Sequence, residues 1–386
     1  MSTSAVPIGG DDLDEALGER YYKGRKDIED QAIGEIITAT HQGIERLFKK
    51  RGLALRDAHA GDNGCVRAIF RVDPDLDVSL RHGVFVPGRE YQTWIRFSTG
   101  DSKAGSSRWP DARGMAIKLM GVDGQTMLPD QPGTQDFILI SEPAFFCDDL
   151  ERYRRTLSDF LSDSRIVRWV SVRHLKGREI ILAIKTNVRM ITNPLVHQYW
   201  SMVPYRLGAA DAPNKTAVKY TAKPRLAPKL DFSDRLRALW SSVVTYLTPG
   251  FSLKKEMNDT LARQEMCFDF YVQRFVDQHR TPIEDSTTEW KEDPSRLEHV
   301  AQIMIPRQDL MSPQRARFCE DLSFSPWHGL PEHRPLGLVN RVRKRAYLEI
   351  SNLRHRLNDR PILQLAEMRE FEAGAPRRER EASHQS

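Results

Sequence analysis

No run of about 18 apolar residues occurs in the chain, so no stretch reads as a membrane-spanning helix. Cysteine is scarce. Cys65, Cys147, Cys267 and Cys319 form no CxxC pair and no zinc spacing, which predicts buried thiols in a reducing compartment. Charge of one sign is also lacking: 58 basic against 53 acidic residues leave +5. No basic tract is interleaved with aromatics, and nucleic acid is excluded as a partner. The opening MSTSAVPIGGDDLDE has no basic region followed by an apolar run, and the chain does not end in a peroxisomal tripeptide. The expectation is therefore a cytoplasmic protein. No internal repeat is present at a fixed period.

What is there is an ordinary globular composition, 40% hydrophobic and 29% charged. Seven Trp, ten Tyr and sixteen Phe suffice to line a sizeable apolar pocket. Residues 1–18 are polar and acidic and read as a loose arm. Apolar residues from Asp27 to Lys50 recur at helical spacing. Strand-like alternation then fills Cys65–Val72, Thr93–Phe97, Met115–Met120 and Phe137–Ile140, punctuated by Gly, Pro and Asp clusters. Phe145–Leu161 reads as helix. Helical pieces are expected at Val167–Leu175 and Leu195–Tyr199, a strand at Thr216–Thr221, and helices at Phe232–Leu247 and Lys254–Arg263. Met266–Phe275 and Leu297–Ile305 read as strands, and Pro313–Phe318 as the start of a helix. From Arg369 the charged tail reads as disordered. The expected class is α+β: an antiparallel β-barrel surrounded by helices, one domain over 19–368 with loose ends.

The stretch with the clearest chemistry is Leu336–Arg356, LGLVNRVRKRAYLEISNLRHR, uninterrupted by Pro or Gly after Gly337. On one helix Arg343, Tyr347 and Arg354 fall at roughly 0°, 40° and 20° and share a stripe. A guanidinium one turn before a phenol stabilises the phenolate, and a phenolate binds ferric haem iron. A tyrosine on an arginine-rich helix is, taken alone, more often a half-buried packing residue.

Three further segments bear on that choice. Arg56-Asp-Ala-His59-Ala60 places a histidine on a loop. Trp94-Ile-Arg96-Phe97-Ser98-Thr99 is followed by Asp111-Ala-Arg113-Gly114-Met-Ala116-Ile-Lys118. Asp136-Phe-Ile-Leu-Ile140-Ser141-Glu142-Pro143-Ala-Phe145-Phe146 completes the set. Together with Arg343-x-x-x-Tyr347 and Arg354, these strings resemble the haem-dependent catalase family. The likeness is greatest to its short catalase-related members and extends to the coral allene oxide synthase of the same fold. It covers most of 50–150 and 325–356, is weaker over 160–300, and lacks the C-terminal helical extension of full-length catalases.

The resemblance implies haem b as cofactor, with Tyr347 as the axial metal ligand beside Arg343. It implies His59 as distal acid/base, held in its tautomer by a hydrogen bond from Ser98. Arg56, Arg96 and Arg354 become haem-propionate partners, and Phe145 flanks the ring. One departure matters. The family's distal asparagine falls at Ile140 or Ser141, and neither is Asn; Ser141 retains one hydroxyl for a bound peroxide. His328 and His333, with Pro331 between them, read as packing or surface residues and not as a metal pair.

The implied activity is oxidoreduction of hydrogen peroxide or organic hydroperoxides, with a small-molecule peroxide as substrate and an electron donor that the sequence does not name. Isomerisation or dehydration of a fatty-acid hydroperoxide stays open, as does non-catalytic haem binding. A homo-oligomer is compatible with all three.

Overall fold

The computed structural model describes residues 13–56, 59–100, 111–160, 171–188, 190–225, 251–293 and 296–372. Nine strands form one antiparallel sheet among them. They are β1 (Gly61–Val72), β2 (Glu90–Thr99), β3 (Arg113–Met120), β4 (Thr134–Ile140), β5 (Tyr199–Trp200), β6 (Tyr205–Leu207), β7 (Thr216–Pro224), β8 (Met266–Arg274) and β9 (Leu297–Ile305). The order is β5-β4-β3-β2-β1-β9-β8-β7-β6, and β5 also pairs with β7. That last pairing closes a barrel and removes the open edges that a flat sheet would expose.

Alternation decides which side chains fill the barrel. Val66, Ala68 and Phe70 of β1, Ile95 and Phe97 of β2, Met115 and Ile117 of β3, and Phe137 and Leu139 of β4 belong to one fully buried cluster. On β8, Phe268, Phe270 and Val272 join it while Cys267, Asp269 and Tyr271 are half-buried, as the sequence pattern predicts. Phe137 and Phe270 meet at 5.1 Å between ring centroids, and Phe70 and Phe270 at 5.2 Å edge to face. Such pairs add about 0.5–1.5 kcal/mol each beyond area burial.

Seven α-helices are described: α1 (Lys26–Arg51), α2 (Leu150–Phe160), α3 (Gly177–Val188), α4 (Leu253–Arg263), α5 (Pro313–Asp321), α6 (Leu338–Leu357) and α7 (Leu365–Glu372). Ile33, Ile36 and Ile37 of α1 pack with Leu150 of α2 and with Leu338, Val342 and Ala346 of α6. The start of α6 is pinned. Gly337 and Leu338 donate their backbone N–H groups to Glu19 and Glu284, and Arg341 pairs with Glu19, Glu29 and Glu284. Carboxylates at a helix N-terminus also complement the helix dipole.

Several expectations need correction. Residues 13–18 are not a loose arm: Asp14 is buried and pairs with Arg206 and Lys215. Helix α7 runs past Arg369, and Phe371 stacks on Phe318 at 4.1 Å, covering Trp94. The helix expected from Phe145 begins at Leu150, α3 was not anticipated, and Tyr199 lies in a strand rather than a helix. The helix expected at 232–247 lies outside the described residues. Cys65 and Cys319 are not thiols. They form a disulfide that ties β1 to α5 across 254 positions, while Cys147 and Cys267 are free. Spacing rules that look for nearby partners do not register so distant a pair.

His328 and His333 are both buried packing residues. His333 accepts from the Val84 N–H and meets Tyr220 Oη at 2.9 Å, and burial pushes its pKa down to about 3. Burial also lowers His355, to about 4. The unfolded chain protonates such groups near the ordinary value of about 6.5, so the folded state is disfavoured as pH falls from there toward 4. His328 works the other way: burial opposes its charge, but hydrogen bonds to Asp130 and Asp136 outweigh that and raise its pKa. Its contribution is complete below about pH 6.5 and fades as pH rises through the raised value. A His333→Gln variant is expected to flatten the fall in denaturation midpoint between pH 6.5 and 4. An unchanged slope would show that His333 titrates alike in both states.

Candidate active site

Strand register builds one wall of the site. Ser98 of β2 lies opposite Gly114 of β3, which lies opposite Ile140 of β4; one step along, Arg96, Ala116 and Ile138 form a second row. Residues paired across an antiparallel ladder share a face. The alternate residues fill the barrel, so these two rows face outward, toward α6. Between them lies a cavity of about 250 Å³. Both rows line it, with His59, Arg56 and Phe145, and with Val339, Arg343, Tyr347 and Arg354 from α6.

His59 follows the wall. Its backbone takes φ +55°, a left-handed conformation uncommon outside glycine. The ring rests on Gly114: a Cβ there would collide with Ser98 Oγ and stand 3.0 Å from His59 Nδ1. Only glycine leaves this room. Burial, then the charges of Arg96, Arg343 and Arg113, push the imidazole down to about 3. It is therefore neutral at physiological pH. The hydrogen bond expected from Ser98 is not made: Nδ1 is buried without a partner. A Gly114→Ala variant is expected to displace the imidazole and slow any reaction that uses it by roughly tenfold to 100-fold, the cost of a small misplacement. Rates within twofold of wild type would show that the ring position is not critical.

The opposite wall is α6. Arg343 and Tyr347 sit one turn apart and both face the cavity, as their spacing predicts. Arg343 Nη1 is buried without a hydrogen-bond partner.

One end of the cavity is cationic. Arg56 pairs with Glu320 at 2.8 Å and donates to the carbonyls of Cys319, Glu320 and Leu322. Arg354 pairs with the same carboxylate at 3.4 Å. Arg96 donates from Nη1 to the His59 carbonyl, while its Nε and Nη2 are buried without partners. Burial lowers Arg354 to about 9 and Arg96 to about 10, and both stay charged. Burial raises the Glu320 carboxyl, but the three arginines outweigh it and it stays ionised. The next acids, Asp62 and Asp321, pair with Lys254 and Arg360. Three guanidiniums against one carboxylate leave surplus positive charge facing the cavity.

Ser141 is the site residue that the fold does not bring in. It is fully buried and does not line the cavity, and its Oγ accepts from the Arg113 N–H at 3.0 Å. Ile140 lines the cavity in its place.

By sequence, no protein-family model and no curated protein matches the chain. By structure, the chain is similar to a fungal catalase with a TM-score of 0.58 and 16% identity, over 80% of this chain and 61% of that one. It is similar to catalase A from Saccharomyces cerevisiae with a TM-score of 0.56 and 15% identity, over 80% and 62%. A bacterial catalase gives 0.57 and 16%, over 89% and 65%. The chain has the catalase fold.

The match spans less than two thirds of each of these catalases. Within the catalase fold seen here, two functional features escaped the sequence reading. Glu320 holds Arg56 and Arg354, yet it lies more than 260 positions from Arg56. Gly114 was visible only as one letter of a motif; its use as the seat of His59 needs the β2–β3 register.

Proposed function

We propose that this catalase-fold protein binds ferric haem b between α6 and the outer wall of β2–β4 and uses it to metabolise peroxides. The observation that carries the reading is one cavity lined by a phenol beside a guanidinium on one side and by a neutral imidazole from the other. The residues fit the group. Tyr347 would supply the oxygen ligand to the iron, with Arg343 one turn before it on α6. Arg96, with two unpartnered donors, Arg56 and Arg354 suit two carboxylates at one edge of a flat apolar ring. Phe145 and the aliphatic residues of α6 supply apolar walls.

When bound, haem supplies a redox-active iron that takes up the oxidising equivalents of a peroxide. The rest is proton handling. His59, which lines the same cavity, would take a proton from a bound hydroperoxide and return it to the leaving oxygen. The substrate on this reading is a small-molecule peroxide, and the reductant is a second peroxide or an organic electron donor. No described helix is long and apolar enough to cross a membrane.

The test is a titration of the purified protein with ferric haem, followed by absorbance. Wild type is expected to bind one haem per chain with a high-spin ferric spectrum, and Tyr347→Phe to lose that spectrum. The loaded protein is then given peroxide while oxygen release and oxidation of an electron donor are followed. No haem uptake, or a spectrum indifferent to Tyr347→Phe, would overturn the cofactor assignment. Silence in both assays would overturn the activity.

A further inference from the structure

We infer that the outer face of α3, with the turn that precedes it, docks on an anionic lipid surface. The inference is independent of the haem reading. The inner face of α3 is occupied: Leu175, Ile180 and Ala183 pack with Phe145, Phe146, Cys147 and Tyr153, and Glu179 is buried on Arg152. The outer face is not. Ile181 is 66% exposed and Ile184 54%, and among the described residues only Val78 is a more exposed large apolar side chain than Ile181. At 100° per residue, Ile184, Ile181, Lys185 and Arg178 fall within about 120° of the helix, opposite Glu179, Ala183 and Ile180. A single exposed apolar side chain is ordinary, but these two share a stripe whose charged members are all bases. Arg173 and Lys176, just before the helix, are exposed as well. Ser171–Val188 thus carries four bases, all exposed, and one acid, Glu179, which is buried. Arg173 pairs with Asp159 at 3.0 Å, and Lys185 stands 3.6 Å from Glu142. Arg178 donates to Thr288, and neither it nor Lys176 has a carboxylate within ion-pair reach among the described residues.

An aliphatic stripe flanked by Lys and Arg suits a helix that lies in a membrane interface, its apolar side chains among the acyl chains and its bases at the lipid phosphates. Helix α3 has 12 residues and is about 18 Å long, too short to cross a bilayer and long enough to lie on one. A second copy of the chain is a poorer occupant, because a two-fold interface on this face would set bases against bases. A protein partner is poorer too. Protein interfaces are enriched in aromatics and depleted in Lys, whereas the exposed residues of this face include Lys176 and Lys185 and no aromatic. Each base near an anionic surface is worth about fivefold in affinity, and the attraction fades beyond a Debye length.

The experiment sediments the full chain with vesicles of phosphatidylcholine alone, or mixed equally with phosphatidylglycerol, at low and at high salt. Wild type is expected to pellet with the mixed vesicles at low salt, and to stay in solution with phosphatidylcholine alone or at high salt. Lys176→Glu/Arg178→Glu is expected to weaken binding at least about 25-fold, and Ile181→Ser/Ile184→Ser about tenfold. A footprint on wild type needs no variant. Mixed vesicles are expected to shield Lys176 and Lys185 from acetylation and to leave the exposed Lys49 and Lys50 of α1 open. No pelleting with mixed vesicles would overturn the inference, as would pelleting that both variants retain, or shielding of Lys49 and Lys50 instead of Lys176 and Lys185. A wild-type dimer that Ile181→Ser/Ile184→Ser separates would give the face to a second copy and overturn it equally. Failure of wild type to take up haem would overturn the haem reading alone.

Discussion

A His59→Asn variant is expected to keep its haem and lose about 10²- to 10⁴-fold in peroxide turnover, the usual worth of a positioned acid–base group. Asparagine is the informative replacement. The backbone at 59 is left-handed, φ +55°, which asparagine tolerates far better than a branched or bulky residue. The variant therefore removes the titratable proton without adding strain. Haem retention should survive, because the proposed ligand and propionate partners come from α6, Arg56 and Arg96. Stopped-flow mixing with peroxide reads the rate, and the ferric absorbance spectrum reads retention. Turnover within threefold of wild type would remove His59 from the chemistry. Loss of haem together with loss of turnover would make it a structural residue instead.

The second large effect is one of stability. Lys118 and Asp136 are both fully buried and meet at 2.8 Å and 3.0 Å across the β3–β4 ladder. Asp136 also accepts from the Ser325 N–H at 3.0 Å and meets His328 Nδ1 at 3.1 Å. It thereby ties the barrel to the loop that leads into α6. Replacing Asp136 with leucine leaves a lysine charge in a place without water, at a cost of about 3–5 kcal/mol. A folded domain is stable by only about 5–15 kcal/mol, so the denaturation midpoint should fall steeply. The double variant Asp136→Leu/Lys118→Met removes both charges and is expected to recover part of the loss, the rest remaining because the Ser325 N–H and His328 still lack their acceptor. Denaturant titration of the three proteins checks both statements. A single variant within about 1 kcal/mol of wild type would mean that the Lys118–Asp136 pair does not hold the β3–β4 ladder.

Legibility followed chain distance. The stripe Arg343–Tyr347–Arg354 was readable because helical geometry alone fixes which residues share a face. Alternation exposed most of the long strands for the same reason. The two-residue β5 and three-residue β6 are too short to carry a period, although β5 closes the barrel. The Ser98 contact failed for a different reason. A motif specifies which residues meet, but the hydroxyl and the imidazole only share the space above Gly114.

The sequence by itself determined the α+β class, the site's helix and the residue types that the site presents, since each rests on a period or string within some twenty residues. Tertiary structure alone decided that Cys65 reaches Cys319, that Glu320 joins the arginines, and that Ile140 rather than Ser141 faces the cavity. The physical reason is register. A one-residue slip in a strand turns every side chain to the other face, and only pairing with distant strands sets it.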